Sequence, residues 1–440
     1  MTEGVIAVVC LASLAPPPIE ASDETHGTAR QEVAVDTVAG RPVVTTRFPQ
    51  RGGGAGTWRL VEELKLGNVV GDGPEGFGDI ADLAVDVAGD IYVLDVGSKE
   101  VRVFGRDGTY LRELARDGDG PGEIRYRRTP NQRITFRAPD ELWIDDGQQQ
   151  MVIDLRGNEL RRSAGRRRPG LFFPGEVPMS SWVIAAATDG SLFSVGHVVA
   201  MRSPDRIDVR QHTYVVHSPV SADHEMLPGD TLAIETGTMV GVGGEERRAG
   251  RAISVRNLQG ADPRFVWTVE GGGTLWLAHR SRYRFDELSF TGDTIRTVQV
   301  GDVPPLSADE SGLVPILAAL ASSPEGWLWV QREEPATEGG STWDVLDNCG
   351  RYRATVTAPV GLTRPEVSAG GELYGISSDD LGVDFVHRFR LRSEVGTPIV
   401  RETCPLDGGF ARDHGSTNHR GASPHLSESQ APPLEGDAPE

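Results

Sequence analysis

The side chains of this sequence with the greatest chemical reach are carboxylates and imidazoles set among short apolar segments. Asp82 and Asp86 lie in or beside one such segment, Asp95 and Asp146 follow two others at equivalent places, and Asn131 precedes another. Oxygen ligands of this kind, gathered at one point, suit Ca²⁺, which takes roughly six to eight of them. Singly, each aspartate suits a turn at a strand end, where its carboxylate accepts from nearby backbone amides. His197 and His279 follow two further segments and are candidates for metal ligation or proton transfer. No third ligand stands at a zinc spacing from them.

Arg161, Arg162, Arg166, Arg167 and Arg168 form the one dense basic run. Clustered guanidiniums suit an acidic partner or a sulfated glycan, and otherwise a solvated loop. Two similar loops, GDGPEGF at 71–77 and GDGPGEI at 118–124, offer backbone amides for an anion nest. Their own Asp72, Glu75, Asp119 and Glu123 oppose a bound anion, and glycines of this kind also serve plain connectors. There is no GxSxG elbow and no GK[ST] phosphate loop. No catalytic residue is assigned on these grounds.

The 440 residues carry 64 Asp and Glu against 44 Lys and Arg, a formal charge of -20. Such a chain is repelled by phosphate backbones and anionic lipid, which argues against nucleic acid as a partner. No apolar run approaches the roughly 20 residues needed to cross a bilayer.

The elements that must position these side chains are short, β-branched and punctuated by Gly and Asp, with no long helical period. One pattern recurs: a turn residue, a variable position, Ile or Leu, then an aromatic. It reads GDIY at 89–92, DELW at 140–143, GSLF at 190–193, GTLW at 273–276, GWLW at 326–329 and GELY at 371–374. The aromatics stand 51, 50, 83, 53 and 45 residues apart, although only 6% of the chain is aromatic. Intervals near 50 suit four-stranded β-propeller blades, which cannot cover both faces alone and therefore pack radially. The reading is an all-β, six-bladed β-propeller with an insertion at about 217–263 between blades three and four. Segment 57–66 resembles a fourth strand without a blade of its own, while the sixth blade stops after its third strand, so the N-terminal strand is expected to complete it. That closure removes an exposed sheet edge.

The stretch GDIYVLDVGSKEVRVFGRDGTYLREL at 89–114 is similar to an NHL repeat, and RDGDGPGE after it resembles an element of bacterial six-bladed propellers of the NHL and TolB-like type. The resemblance spans about 57–392 and implies fold and export more than activity. Several six-bladed relatives, such as calcium lactonases, place a metal at the channel mouth. That makes a Ca²⁺-dependent hydrolase, lactonase-like enzyme or lyase the alternative function, with Asp82 and Asn131 available to it.

In a four-stranded blade (strands A to D, inside to outside) the B-to-C loops and D-to-A connectors leave one face. The short A-to-B and C-to-D turns leave the other. The first face collects both GDGP loops, the insertion and the loops beginning at Asp95, Asp146, Gly196, Ala278, Gln331 and Ser377. Long loops on a rigid scaffold are where binding resides. The main expectation is therefore an exported binding module, a monomer rather than an enzyme, taking a protein, peptide or carbohydrate ligand on this face with no obligatory cofactor.

Residues 1–21 read as a signal peptide, from the apolar run at 5–15 and the prolines after it, although Thr2 and Glu3 replace a basic start. This points to a periplasmic or extracellular protein. Cys10 follows Val9, which is large for lipoprotein processing. Residues 22–56 read as a disordered linker, 57–404 as the propeller and 405–440 as a disordered tail poor in apolar residues. Cys349 and Cys404 are a candidate disulfide in an oxidising compartment.

Overall fold

The computed structural model describes residues 33–47, 58–70, 73–124, 132–137, 140–145, 149–164, 176–187, 190–201, 208–227, 229–240, 265–270, 273–301, 317–333, 339–393 and 399–404. The expected signal peptide, Cys10 and the 405–440 tail lie outside them. The chain divides into residues 1–402, which contain every strand among the described residues, and 403–440. The described residues contain β-strands and no helix, and they form a six-bladed β-propeller.

Blade one is Ile80–Val85, Ile91–Asp95, Glu100–Phe104 and Tyr110–Leu114; blade two is Arg133–Arg137, Glu141–Asp145, Gln149–Asp154 and Glu159–Ala164. Blade three is Glu176–Ala186, Leu192–Met201, Asp208–Ser218 and Asp230–Val240. Blade four is Phe265–Val269, Leu275–His279, Arg284–Leu288 and Thr294–Gly301, and blade five is Leu317–Ser322, Leu328–Arg332, Ser341–Leu346 and Tyr352–Ala358. Blade six joins Thr363–Ser368, Glu372–Ser378 and Asp384–Ser393 to Trp58–Leu66. The N-terminal strand does close the ring: Val386 opposes Leu66 and Ser393 opposes Trp58 in an antiparallel ladder.

The recurrent aromatics Tyr92, Trp143, Phe193, Trp276, Trp329 and Tyr374 are all buried. They sit on B strands and fill the spaces between blades. Tyr92 of blade one meets Phe136 of blade two edge-on, with centroids 4.8 Å apart. Apolar clusters lie between blades one and two, two and three, three and four, five and six, and six and one. Each large aromatic contributes on the order of 3–5 kcal/mol as judged by truncation to Ala, so the spacing that reveals the blades is also the pattern that glues them.

Two segments depart from expectation. Residues 22–56 are not one disordered linker, because Ala34–Val38 and Arg41–Arg47 form a hairpin whose second strand runs parallel to Thr294–Gly301 on the outer edge of blade four. Its turn, Ala39-Gly40, holds both residues at positive φ, the geometry that matches strand twist. Alternation in RPVVTTR buries Val44 and Thr46. The second departure is the insertion at 217–263. Its first half is not a loop on the binding face, because Asp230–Val240 is the outer strand of blade three, paired along Asp208–Ser218. Blade three has strands of 10 or 11 residues where other blades commonly have 5 or 6, so much of the extra interval lengthens the sheet.

Candidate functional site

An inner strand pairs on one side only, so its other edge presents unpaired backbone N–H and C=O groups to the channel. In blade one those amides are met by carboxylates. Ile80 N donates to Asp384 Oδ2 of blade six (2.8 Å) and Val85 N to Glu366 Oε1 of blade six (3.1 Å). Ile134 N of blade two donates to Asp82 Oδ2 (3.1 Å). The carboxylates therefore stitch one blade to the next.

The channel between the inner strands holds about 640 Å³ and is lined from all six blades, mostly by Ala, Val, Leu and Trp267. Its charged lining residues are Asp82, Arg133, Arg364 and Glu366. Arg133 Nε stands 4.0 Å from Asp82 Oδ2. Burial raises the Asp82 carboxyl above its ordinary range, with Arg133 and Arg364 pulling the other way. Burial likewise lowers Arg133 to about 10, against the pull of Asp82. Glu366 is pushed up to about 8, first by burial and further by the charge of Asp82, against the bond from Val85 N. At neutral pH Glu366 is thus largely a neutral acid able to donate a hydrogen bond.

A second cavity of about 900 Å³ opens where blades five, six and one meet at the ends of their inner strands. Asp79, Val96, Gln331, Leu362, Thr363 and Arg364 are among the residues lining it. These belong to D-to-A connectors, B-to-C loops and the strand ends beside them, which places the cavity on the loop-rich face. The two cavities share Ala318, Ala319, Arg364 and Pro365.

Of the residues singled out from sequence, Asp82 lies in the channel wall. Asp95 does not: its buried carboxylate accepts from Gly78, Asp79, Gly97 and Ser98 amides at 2.9–3.0 Å, which holds the B-to-C loop of blade one. Asp86 caps an A-to-B turn through Ala88 and Asp90 amides. His197 sits within the strand Leu192–Met201, opposite Ser180 and Thr213, rather than in a loop, because blade three's strands are long. His279 ends its strand, with Nδ1 2.7 Å from Ser281 Oγ. Asn131, Asp146, Arg166, Arg167 and Arg168 lie outside the described residues. Arg161 pairs with Glu225 at 3.3 Å, and Arg162 with Glu159 at 2.7 Å. The anion nest of the second GDGP loop is filled from within, since Gly120 N donates to Glu123 Oε2 (2.9 Å). Among the described residues no three His, Cys, Asp or Glu side chains come together as a metal site.

Sequence reasoning missed Arg133, Arg364 and Glu366. The last two sit in Thr-Arg-Pro-Glu at 363–366, where a proline inside a strand pattern marks a bulge. The ladder of blade six does shift register between Thr363 and Glu366.

Sequence reasoning also missed a hydrogen-bonded row. Ser377 Oγ lies 2.7 Å from His387 Nε2, and His387 Nδ1 lies 2.7 Å from Glu62 Oε1. The atoms and order are those of a nucleophile, base and orienting carboxylate. The row spans strands B, C and D of blade six on the side that packs against blade five, and His387 is only 1% exposed. Burial lowers the imidazole pKa, against the pull of Glu62. No substrate reaches a histidine so enclosed. The row fastens the closing strand to the ring.

Polar contacts also secure the narrow-turn face. Glu402 N donates to Asn348 Oδ1 (3.0 Å), Asn348 Nδ2 donates to Glu402 O (2.8 Å) and Trp327 Nε1 donates to Val400 O (3.1 Å). Arg351 and Arg353 both pair with Glu402. Cys349 and Cys404 each take part in a disulfide.

No protein-family model and no curated protein matches the chain. Among solved structures, it is similar to a protein of Bacteroides vulgatus (11% identity, 77% of this chain and 99% of that one, TM-score 0.42). It is similar also to virginiamycin B lyase of Staphylococcus aureus (10%, 76% and 100%, TM-score 0.40). Regucalcin, a calcium-binding protein of Agrobacterium tumefaciens, aligns at 11% identity over 78% and 98%, TM-score 0.38. At these values no ligand or reaction transfers from them, and the fold rests on the six sheets themselves.

Proposed function

We propose that the chain is an exported binding module whose ligand enters the channel from the loop-rich face between blades five, six and one. The observation that carries this is the pair of cavities sharing Ala318, Ala319, Arg364 and Pro365, which together form a mouth and a floor. The opposite face carries tight turns such as those at Gly89, Gly108, Gly273 and Gly350, all at positive φ. A concave, mostly apolar site with a few convergent polar groups is the usual form of a small-ligand site. The apolar N-terminal run and the disulfide-bonded Cys349 and Cys404 support the export half of the reading.

The donor chemistry argues against the metal-dependent alternative at this point of the ring. Asp82 shares its surroundings with two guanidiniums, which repel a cation, and Glu366 keeps its proton near neutrality. Metal analysis of the purified protein, with melting followed in Ca²⁺ and in chelator, tests that judgement; a bound metal whose removal lowers the melting temperature would reverse it.

The binding reading is tested by a thermal-shift screen of small molecules, peptides and oligosaccharides on the protein and on Ala319→Trp, which places a large ring between mouth and floor. Ligands that stabilise the first and not the second support the site. Ligands that stabilise both equally locate binding elsewhere.

A further inference from the structure

Arg364 stands out among the channel residues. It lines both mouth and floor, and no hydrogen bond or ion pair involves its guanidinium among the described residues. Its backbone has φ +53°, a left-handed conformation that costs a non-glycine residue on the order of 1 kcal/mol. Pro365 follows it and the bulge surrounds it. Bulges re-aim a side chain, and here the strained residue is the one charged residue among the four that line both cavities. A planar fork of donors in such a place matches a carboxylate bidentately.

We infer that the channel binds an organic monocarboxylate, its carboxylate held by Arg364 at the junction of the two cavities and its compact apolar body in the floor. The inference rests on the channel reading above and names its ligand class. Four other charged groups bear on it. Arg133 adds a second positive charge; Asp82, 4.0 Å from Arg133, attracts both guanidiniums and so leaves a net positive charge between the three; and Asp79 stands at the mouth, where it disfavours a second anion. Glu366 lines the same floor cavity as Arg364. Among the described residues the walls from blades three, four and five contribute Ala, Val, Leu, Thr, Ser, Pro and Trp267 and no ionisable side chain. A single anionic head with an apolar body is the ligand that satisfies this set, and the floor volume of about 640 Å³ admits a body of several carbons.

The test is calorimetric titration with butyrate, hexanoate and benzoate, each beside its amide, and with hexylamine, at pH 6.5 and 9. At least one acid binds, its amide binds tenfold or more weakly, and hexylamine does not bind. Affinity for the acid falls at pH 9 because Glu366, raised to about 8, then carries a like charge beside the ligand. Arg364→Gly lowers affinity for the acid at least tenfold while melting no lower than the parent, since glycine suits a positive φ; Arg364→Lys recovers part of it.

Equal affinity for acid and amide, or full affinity in a folded Arg364→Gly protein, overturns the inference. If amides or the amine bind and Ala319→Trp blocks them, the channel reading stands and the carboxylate class falls. If no acid binds the parent protein, the inference falls whether or not other ligands are found.

Discussion

Replacing Glu366 by glutamine should stabilise this protein, by an amount that grows with pH. The folded carboxyl titrates at about 8 against an ordinary 4.5. Between these values the unfolded chain releases its proton while the folded one retains it. A group with a raised folded pKa contributes its full stability below the unfolded pKa and loses it as pH rises through the folded pKa. The loss runs at about 1.4 kcal/mol per pH unit, so at pH 7 it reaches a ceiling of about 3 kcal/mol, and less to the extent that the side chain touches the channel void. Glutamine keeps an acceptor for Val85 N and does not titrate. In a domain of this size about 3 kcal/mol corresponds to roughly 5 °C in melting temperature. Melting curves of parent and Glu366→Gln between pH 4.5 and 9 should coincide at the acid end and separate steadily up to about pH 8. Asp82, also raised, is present in both proteins and cancels to first order. A pH-independent separation, or a glutamine variant less stable at pH 7, would refute the reasoning that burial governs this carboxyl.

Three further substitutions probe the scaffold. Ser377→Ala removes a hydrogen bond to buried His387 and should cost about 1–3 kcal/mol, while a fluorophosphonate probe leaves the native parent unlabelled; labelling that Ser377→Ala abolishes would make the row a reactive site. Asp344 accepts from Tyr283 (2.7 Å), Arg332 (2.7 and 2.8 Å) and Thr355 (2.9 Å), and also from Tyr352, so Asp344→Asn should cost about 3–5 kcal/mol in urea unfolding; a loss under about 1 kcal/mol would show the network to be dispensable. Gly273 has φ +91° and a methyl there would come within 2.0 Å of Phe290, so Gly273→Ala should lower stability by at least about 1–3 kcal/mol, and an unchanged melting temperature would contradict that packing.

The ring itself was legible because blade packing repeats one demand at one interval. Six aromatics in register reveal six B strands, and the orphan strand at 57–66 reveals how the ring closes. The hairpin Ala34–Val38 and Arg41–Arg47 was obscured because it caps one blade and repeats nowhere. Its alternating RPVVTTR and the Ala39-Gly40 turn were the available signals. Blade three misled because a longer interval reads as a loop, whereas DTLAIETGTMV is a strand. Ser377 and His387 are ten residues apart and Glu62 is 325 residues from His387, so only closure of the ring brings the row together.

The charges in and beside the channel divide into two groups by what explains them. Asp82, Glu366 and Asp384 satisfy backbone amides on inner-strand edges that have no β partner, a need any ring of single-edged strands must meet. Arg133 then offsets the charge of Asp82. Fold maintenance accounts for these four, and none of them requires a ligand. Arg364 shares in offsetting Asp82, but it makes no ion pair or hydrogen bond among the described residues, caps no amide, has a left-handed backbone that glycine would adopt at lower cost, and lines both cavities from a bulge. Its attraction to Asp82 does not use the planar fork of a strained guanidinium in a largely apolar channel, and a ligand's carboxylate is what those donors lack.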